Sequence, residues 1–447
     1  MIRRLRTRIR AGHQRSTSHK GIFYGWWIVA AGFGVQLVIG GLLNQAYGAY
    51  VVLLRQEFGW SKTALAAAFS MARFENGLLG PLGGWLCDRF GPRTVMRIGL
   101  TLLGIGFMLF SQVNSLLTFY LAFFVMAVGS NLGGFLPLTV SVVNWFRRRR
   151  ATALAMTQMG FAVGGLIVPI VVLSLETFGW RGTAFGSGVL VLVVGLPLSQ
   201  LIRHQPEDYG EVVDGVAESA SEKVALANEP LVDFTAREAM RAPSFWLISL
   251  GHGSALLVVS AVMVHLVVHL NENLGYSLGT AALVITLMTS MQLVGQIVGG
   301  FLGDRFSKRL ISVGCMAMHA VGLLLVAYAT VLPMVLAFAV LHGLAWGTRG
   351  PLMQAIRADY FGRSSFGVIM GFSSLVTMFG NISGPLIAGL LADSTGSYET
   401  GFTVLAVLAA IGSLFFLLAT RPQPPVRPAV APLAAVVAAS ERGPGGH

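Results

Sequence analysis

Charge is scarce in this sequence: Asp, Glu, Lys and Arg make up 11% of 447 residues, against roughly 25% in an ordinary soluble domain. So little charge excludes a water-facing surface over most of the chain. Cysteine is scarcer still. Cys87 and Cys315 are the two present, too few for a disulfide framework and without metal-ligand spacing. No Gly-x-x-x-x-Gly-Lys-Ser/Thr segment occurs, so nucleotide hydrolysis has no phosphate loop to work from. No Ser-His-Asp order, metal cluster or flavin motif stands in a credible context, and the chain reads as a non-enzyme that needs no cofactor or metal.

What fills the sequence instead is apolar residue, 54% of it, with 55 glycines, 28 phenylalanines and a mean hydropathy of +0.71. A bilayer core takes about 20 apolar residues per helix. Twelve such runs occur, at 24–52, 62–87, 94–112, 116–144, 152–176 and 183–203, then 244–270, 279–303, 311–330, 332–356, 367–391 and 400–420. The expected fold is therefore an all-α integral membrane protein.

The net charge of +12 raises nucleic acid as a partner, but the placement of the basic residues argues for a lipid bilayer. With the N-terminus in the cytoplasm, about 26 Lys and Arg fall on the cytoplasmic side, about three (Arg55, Lys62, Arg181) outside and about two within runs. The opposite orientation would put the run Arg147 to Arg150 on the wrong side. Both termini are expected in the cytoplasm of a cell with the protein multi-pass in its plasma or inner membrane, and Cys87 and Cys315 at the cytoplasmic ends of their runs. Five parts follow: a basic tail at 1–22, a first half at 23–203, a linker at 204–243, a second half at 244–420 and a Pro- and Ala-rich disordered tail at 421–447. The acid-free first tail reads either as a transit peptide or as a segment held against anionic lipid. The linker carries nine acids and reads as a solvated connection.

An internal repeat relates the halves. Gly83-Gly84-Trp85-Leu86-Cys87-Asp88-Arg89-Phe90-Gly91-Pro92-Arg93 closes the second run and Gly299-Gly300-Phe301-Leu302-Gly303-Asp304-Arg305-Phe306-Ser307-Lys308-Arg309 the eighth, with seven of eleven positions identical. The same offset of 216 brings Gly164 onto Gly380 and Pro169 onto Pro385. Two parallel six-helix repeats, with a site between them near the midplane, are a known arrangement of secondary transporters.

The pattern around Gly84, Asp88, Arg89, Gly91 and Arg93, with its echo at Asp304 and Arg305, resembles the signature of the major facilitator superfamily. The resemblance covers nearly the whole chain. It implies the major facilitator fold, twelve transmembrane helices in two pseudo-symmetric six-helix halves, and it implies that these residues latch one face of an alternating-access cycle. The alternative is that they terminate helices and set topology. Tyr24-Gly25-Trp26-Trp27 and Trp145-Phe146-Arg147-Arg148-Arg149-Arg150, leading into Ala153, Gly160 and Gly164, resemble the monocarboxylate transporter and oxalate/formate antiporter branch. Ala155 stands where that pattern prefers Gly. Animal members of the branch carry a lysine in helix 1 and an Asp and Arg pair in helix 8; here Asn44 and Gln45, and Ser290, Gln292 and Gln296, occupy those regions.

Charge inside an apolar run costs about 2.5 to 3.5 kcal/mol at a helix centre, so each case is a candidate for function. His342, Trp346 and Arg349 recur at i, i+4 and i+7 and share a face. Arg offers a planar fork that suits a carboxylate and Trp346 an apolar wall; the other reading pairs Arg349 with Asp359 or with backbone carbonyls. Arg73 shares a stripe with Gly77, Gly80 and Gly84 that reads as close helix packing. Glu75 reads as a proton carrier or as a structural acid paired with an arginine. His265 and His269, with His252, read as a polar lining of the outer mouth, and as a metal pair only weakly. Among uncharged polar residues in the runs, including Gln158 and Asn381, Asn44, Asn131 and Gln292 are the first choices for the cavity; in the family, helices 1, 4, 7 and 10 face it.

The expected function is secondary active transport of a small organic anion, a mono- or dicarboxylate, as a proton symporter or as an exchanger with a counter-anion. Two alternatives stay open: export of an uncharged or amphipathic compound, and a non-transporting ligand sensor on the same fold. The repeat makes a direct prediction. Cysteines introduced at the Asp88 turn and at the Asp304 turn will react with an impermeant maleimide from the same side of the membrane, and labelling from opposite sides would end the duplicated-bundle picture.

Overall fold

A chain in hydrocarbon finds no water for its backbone N–H and C=O groups, so each crossing must satisfy them within itself as a helix. The computed structural model describes residues 22–215 and 233–425. The basic first tail up to 21, the middle of the linker and the Pro-rich end from 426 lie outside the described residues.

Twelve crossings are seen among the described residues. α1 runs Gly25–Phe58, with one π-helical turn at Gly40–Gln45. α2 is built from Lys62–Leu78 and Gly80–Phe90, α3 is Pro92–Phe110 and α4 is Leu116–Trp145. α5 covers 150–178 and α6 180–200, in one stretch of helix broken at Gly179. In the second half lie α7 (Pro243–Asn273), α8 (Leu278–Arg305), α9 (Lys308–Ala327), α10 (Leu332–Phe361), α11 (Phe366–Thr395) and α12 (Tyr398–Leu418). Serine side chains start several of them by accepting a backbone N–H: Ser61 from Ala64 at 3.1 Å, Ser115 from Thr118 at 3.3 Å and Ser277 from Thr280 at 3.1 Å.

Two features depart from the expected runs. Between the fifth and sixth, a loop of some residues was expected at 177–182; the turn is made at Gly179 alone, whose φ of 69° and ψ of 169° are open to glycine without strain. α1 continues to Phe58 rather than 52, and α10 to Phe361 rather than 356. Arg55 and Glu57 at one end, Arg357 and Asp359 at the other, dilute hydropathy without interrupting helical bonding. α2 is likewise diluted, by Arg73, Glu75 and Asn76, and still forms within the expected run at 62–87, reaching Phe90.

The two halves meet along pseudo-equivalent seams, α2 against α11 and α5 against α8. Glycine makes both possible. A Cβ on Gly80 would sit 2.9 Å from the Gly371 carbonyl oxygen, and one on Gly77 2.5 Å from the Met378 sulfur; Gly84 is pressed against the Gly367 carbonyl. Across the other seam, a Cβ on Gly300 would lie 3.0 Å from Thr152 Cα and one on Gly303 2.8 Å from Ala151 Cβ. The stripe expected from Gly77, Gly80 and Gly84 is thus a packing surface, and the helix it packs against belongs to the opposite half. The side chain of Arg73, on the same stripe, lies outside the described residues.

Leucine at Gly84 therefore holds the α2–α11 seam open. In a background lacking Cys87 and Cys315, Gly84→Leu will raise maleimide labelling of a cysteine at Val368 by roughly tenfold, the size of a modest two-state shift; unchanged labelling would show that the seam closes without the close approach.

Candidate functional site

At the face bearing the repeated motif, each aspartate reaches across to the other half. Asp88 accepts from the backbone N–H groups of Gly367 (3.0 Å) and Val368 (2.9 Å), at the start of α11. Asp304 does the same for Ala151 (2.8 Å) and Thr152 (3.1 Å), at the start of α5. The first N–H groups of a helix lack intrahelical acceptors and lie at the positive end of its dipole, so a carboxylate there is doubly favoured. The arginines of the motif do other work. Arg93 Nε donates to the Ile202 carbonyl at 2.6 Å, and Arg89 and Arg305 lie over aromatic rings of their own segments, Arg305 at 3.5 Å from Phe301.

An ion network reinforces this face. Asp359 of α10 is held by Arg150 of the first half at 2.5 Å and by Lys308 at 2.8 Å. Arg363 donates to the Asn144 carbonyl at 3.1 Å and pairs with Glu207 of the linker. Asp214, at φ 62°, accepts from the N–H groups of Arg147 and Arg148 at 3.0 and 2.9 Å. His204 is lowered from its usual pKa by burial and by the Arg363 charge, nearby acids opposing, so this end of the linker stays uncharged on its ring at neutral pH.

In the first half, Glu75 is 4% exposed. It lies beside Asn131 of α4, yet neither carboxylate oxygen is within hydrogen-bonding geometry of a partner. A cavity of about 40 Å³ bounded by Leu43, Asn44, Ala72, Asn76, Phe123, Ala127 and Ser130 lies between α1, α2 and α4, large enough for water. Asn44 itself turns back on its own helix, its amide donating to the Ile39 carbonyl at 3.5 Å. Sequence spacing kept Glu75, Asn131 and Asn44 apart; the α1–α2–α4 packing brings them into one region.

In the second half, Arg349 is 1% exposed, and its Nε and Nη1 have no hydrogen-bond partner. The alternative pairing with Asp359 does not form: ten residues further along one continuous helix, that carboxylate is about 15 Å away, where Arg150 and Lys308 hold it. His342 is fully buried, its Nδ1 3.1 Å from Nδ1 of His319 on α9, and its ring lies 6.5 Å from Trp346. Arg349 is close enough to His319, His342 and Cys315 to act on them electrostatically. The His342–Arg349 face thus looks into the interior of the second half. The neighbouring face, at Gly350 and Gln354, meets α5: Gln158 donates to Gln354 at 3.4 Å. Gln292 sits where its backbone carbonyl underlies Gly347, and Gln296 is buried with Oε1 unpartnered.

Four residues were placed differently by the sequence or missed. Arg357, counted with the solvated cytoplasmic charges, is 1% exposed within α10; it donates to the Met353 carbonyl (2.6 Å), Ser373 Oγ (2.6 Å) and His252 Nδ1 (3.2 Å). His319 carried no sequence signal beyond its i, i+4 spacing from Cys315. His265 and His269 neither pair for a metal nor line a mouth together: His265 bonds Tyr398 (3.0 Å) and the Pro385 carbonyl (2.9 Å), while buried His269 bonds the Val326 carbonyl (2.9 Å). Each is spent on joining α7 to its neighbours, and among the described residues no group of three or more potential ligands gathers for a metal.

Twelve spans in two repeated halves, gripped together at one face by carboxylates on helix ends, define a multi-pass membrane protein of the secondary-transporter class. The chain belongs to the Major Facilitator Superfamily, whose model matches residues 22–264 and 248–442. It is 28% identical to human monocarboxylate transporter 11 over 420 residues, covering 91% of this chain and 85% of that protein. Other relatives are matched over about half their length: an MFS-type transporter of Gibberella moniliformis at 34% identity (42% of this chain, 45% of the relative) and the oxalate:formate antiporter of Oxalobacter formigenes at 23% (53% and 54%). The E. coli fucose:proton symporter has the same fold, with a TM-score of 0.67 at 15% identity over 89% of this chain and 98% of that one.

A buried cation without a counter-charge is a cost to folding that an apolar isostere removes. Arg349→Met will raise the midpoint of thermal unfolding in detergent by a few degrees, equivalent to about 1–4 kcal/mol; a lower midpoint would mean that Arg349 already has a stabilising partner.

Proposed function

We propose that this protein is a secondary active transporter that moves a small organic anion, a mono- or dicarboxylate, between two alternately opened faces. Arg349 carries the reading. Its permanent charge is buried among neutral rings and a thiol, with two donor nitrogens unused, and a carboxylate substrate supplies the missing counter-charge and the acceptor geometry together. Two relatives, a monocarboxylate transporter and an oxalate:formate antiporter, support the same substrate class. In this reading Trp346 and His342 wall the site, Gln292 of α8, with Asn44 and Asn131 from the first half, completes the polar lining as the halves rock, and Asp88 and Asp304 with Gly84, Arg89, Gly91, Arg93 and Arg305 hold one face shut.

The face bearing the motif is cytoplasmic on this proposal, because the basic residues concentrate there, with both termini on that side and the protein in the cell's plasma or inner membrane. Glu75, buried and unpaired beside Asn131, is the candidate for carrying a coupled proton; an exchanger, with a counter-anion returning, would leave it a structural acid.

Reconstitution separates these cases. In proteoliposomes loaded with unlabelled oxalate or lactate, uptake of the labelled acid will fall at least about tenfold in Arg349→Gln, the loss of one charge-assisted bidentate contact; unaltered uptake discards Arg349 as the anion site. Glu75→Gln will keep exchange but lose its acceleration by an inward proton gradient, and a retained acceleration removes Glu75 from coupling. Binding with no flux in sealed vesicles would favour the sensor.

A further inference from the structure

We propose that the first leg of the linker, residues 204–215, is a salt-sensitive strap: it is fastened to the first half, and Glu207 reaches across to hold the turn between α10 and α11 until the halves swing apart on this face. Control of opening by this strap is independent of which substrate Arg349 binds.

The turns that lead into α5 and α11 are related by the 216-residue offset of the repeat. It sets Arg147 and Arg148 against Arg363 and Ser364, and Ala151 and Thr152 against Gly367 and Val368. The later pair in each turn is what the motif aspartates grip, Asp304 at 151 and 152 and Asp88 at 367 and 368. The earlier pair is gripped as well, by the linker. Asp214 accepts from the N–H groups of Arg147 (3.0 Å) and Arg148 (2.9 Å). Glu207 pairs with the Arg363 guanidinium, Nη1 donating at 3.5 Å, and the Ser364 hydroxyl donates to Asp233. The motif occurs twice in the chain, whereas the linker occurs once and serves both turns.

These contacts differ in what they join. The first leg lies on the first half: Ser141 Oγ donates to the Arg203 carbonyl at 2.7 Å and the Asn144 amide to the His204 carbonyl at 3.0 Å. The Arg203 guanidinium stands 3.5 Å over the Tyr24 ring and 4.3 Å over that of Tyr209, and Gly215, at φ 68°, leaves no room for a Cβ beside Phe23. Asp233 opens the leg that leads into α7 and bonds its own half. Asp214 and Asp233 therefore tie each leg to the half it is continuous with, and those bonds travel with that half. Among the described residues of the linker, Glu207 makes the ion pair to the opposite half, and Arg363 extends the crossing to the Asn144 carbonyl at 3.1 Å. Rotation of the halves breaks these two contacts together with the motif bonds.

Solvent sets the strength of the crossing. Arg363 and Glu207 are 37% and 47% exposed, so dissolved salt screens their attraction. The Asp88 and Asp304 bonds are partly buried at the seams between the halves, where screening is weaker. Opening of this face therefore answers to ionic strength through the strap more than through the aspartates.

Maleimide labelling of a cysteine at Val368, in the full-length protein lacking Cys87 and Cys315 and held in lipid nanodiscs, tests the strap. At about 0.05 M KCl, Glu207→Gln will raise the labelling rate about two- to fivefold, the effect of losing one half-exposed ion pair. Raising KCl to about 0.5 M will speed labelling by a similar factor when the linker is unaltered and will leave Glu207→Gln nearly unchanged. Glu207→Arg will open the face further by repulsion, and adding Arg363→Glu will bring labelling back down as the reversed pair closes. Asp233→Asn, which loosens the other leg within its own half, will not alter the rate. Labelling unchanged by Glu207→Gln, an equal salt response with and without that substitution, a reversed pair as open as Glu207→Arg alone, or a rise in Asp233→Asn as large as in Glu207→Gln would each overturn the proposal. If Glu207→Gln fails to fold, judged by thermal unfolding, the salt series with the unaltered linker decides, because labelling independent of salt removes the strap.

Discussion

Everything at the closed face depends on a carboxylate meeting the N-terminus of a helix from the opposite half. Asp88 of α2, at the start of α11, and Asp304 of α8, at the start of α5, each satisfy two backbone N–H groups that would otherwise have no intrahelical acceptor. Because both contacts cross between halves, neither half can turn without surrendering four charge-assisted bonds together. The glycines supply the approach: without Gly84 against Gly367 and Gly300 against Thr152, the aspartates could not reach. Charge and small size are therefore two parts of one device, repeated once in the chain and once in space.

The interior is electrically lopsided. Among the described residues the buried acid is Glu75, in the first half; of the buried cations Arg150, in the first half, is paired with Asp359, while Arg349 and Arg357, with His319 and His342, lie buried in the second. Arg357 is reconciled with burial by neutral acceptors, a carbonyl, a hydroxyl and an imidazole nitrogen. Arg349 is not, and the difference between two arginines eight residues apart on one helix separates a structural cation from the candidate for a functional one. At Asp359, two cations from different elements share one carboxylate.

Much of this was legible in the residues. The repeat around Asp88 and Asp304, the glycine stripe at 77, 80 and 84, and the exceptional standing of Arg349 and Glu75 all follow from local pattern, because insertion cost and close packing leave marks at fixed spacing. Other features left no such mark. Gly179 was hidden in a stretch read as a loop, since one residue of positive φ looks like any glycine among many. Arg357 fell one residue past the expected run at 332–356, because hydropathy ends where charge begins although the helix does not. His319 stood alone in an apolar run, and only its meeting with His342 gave it a partner.

By itself the amino-acid sequence determined the class of molecule: apolar length sets the number of crossings and duplication relates the halves, both of which are properties additive along a chain. The tertiary structure alone decided which polar groups meet. Glu75 came to lie beside Asn131 without bonding it, His342 found His319, Asp359 took Arg150 and Lys308, and His265 and His269 bonded different helices. Such pairings join positions up to 209 residues apart, and they depend on helix rotation and depth, which periodicity within one segment does not specify.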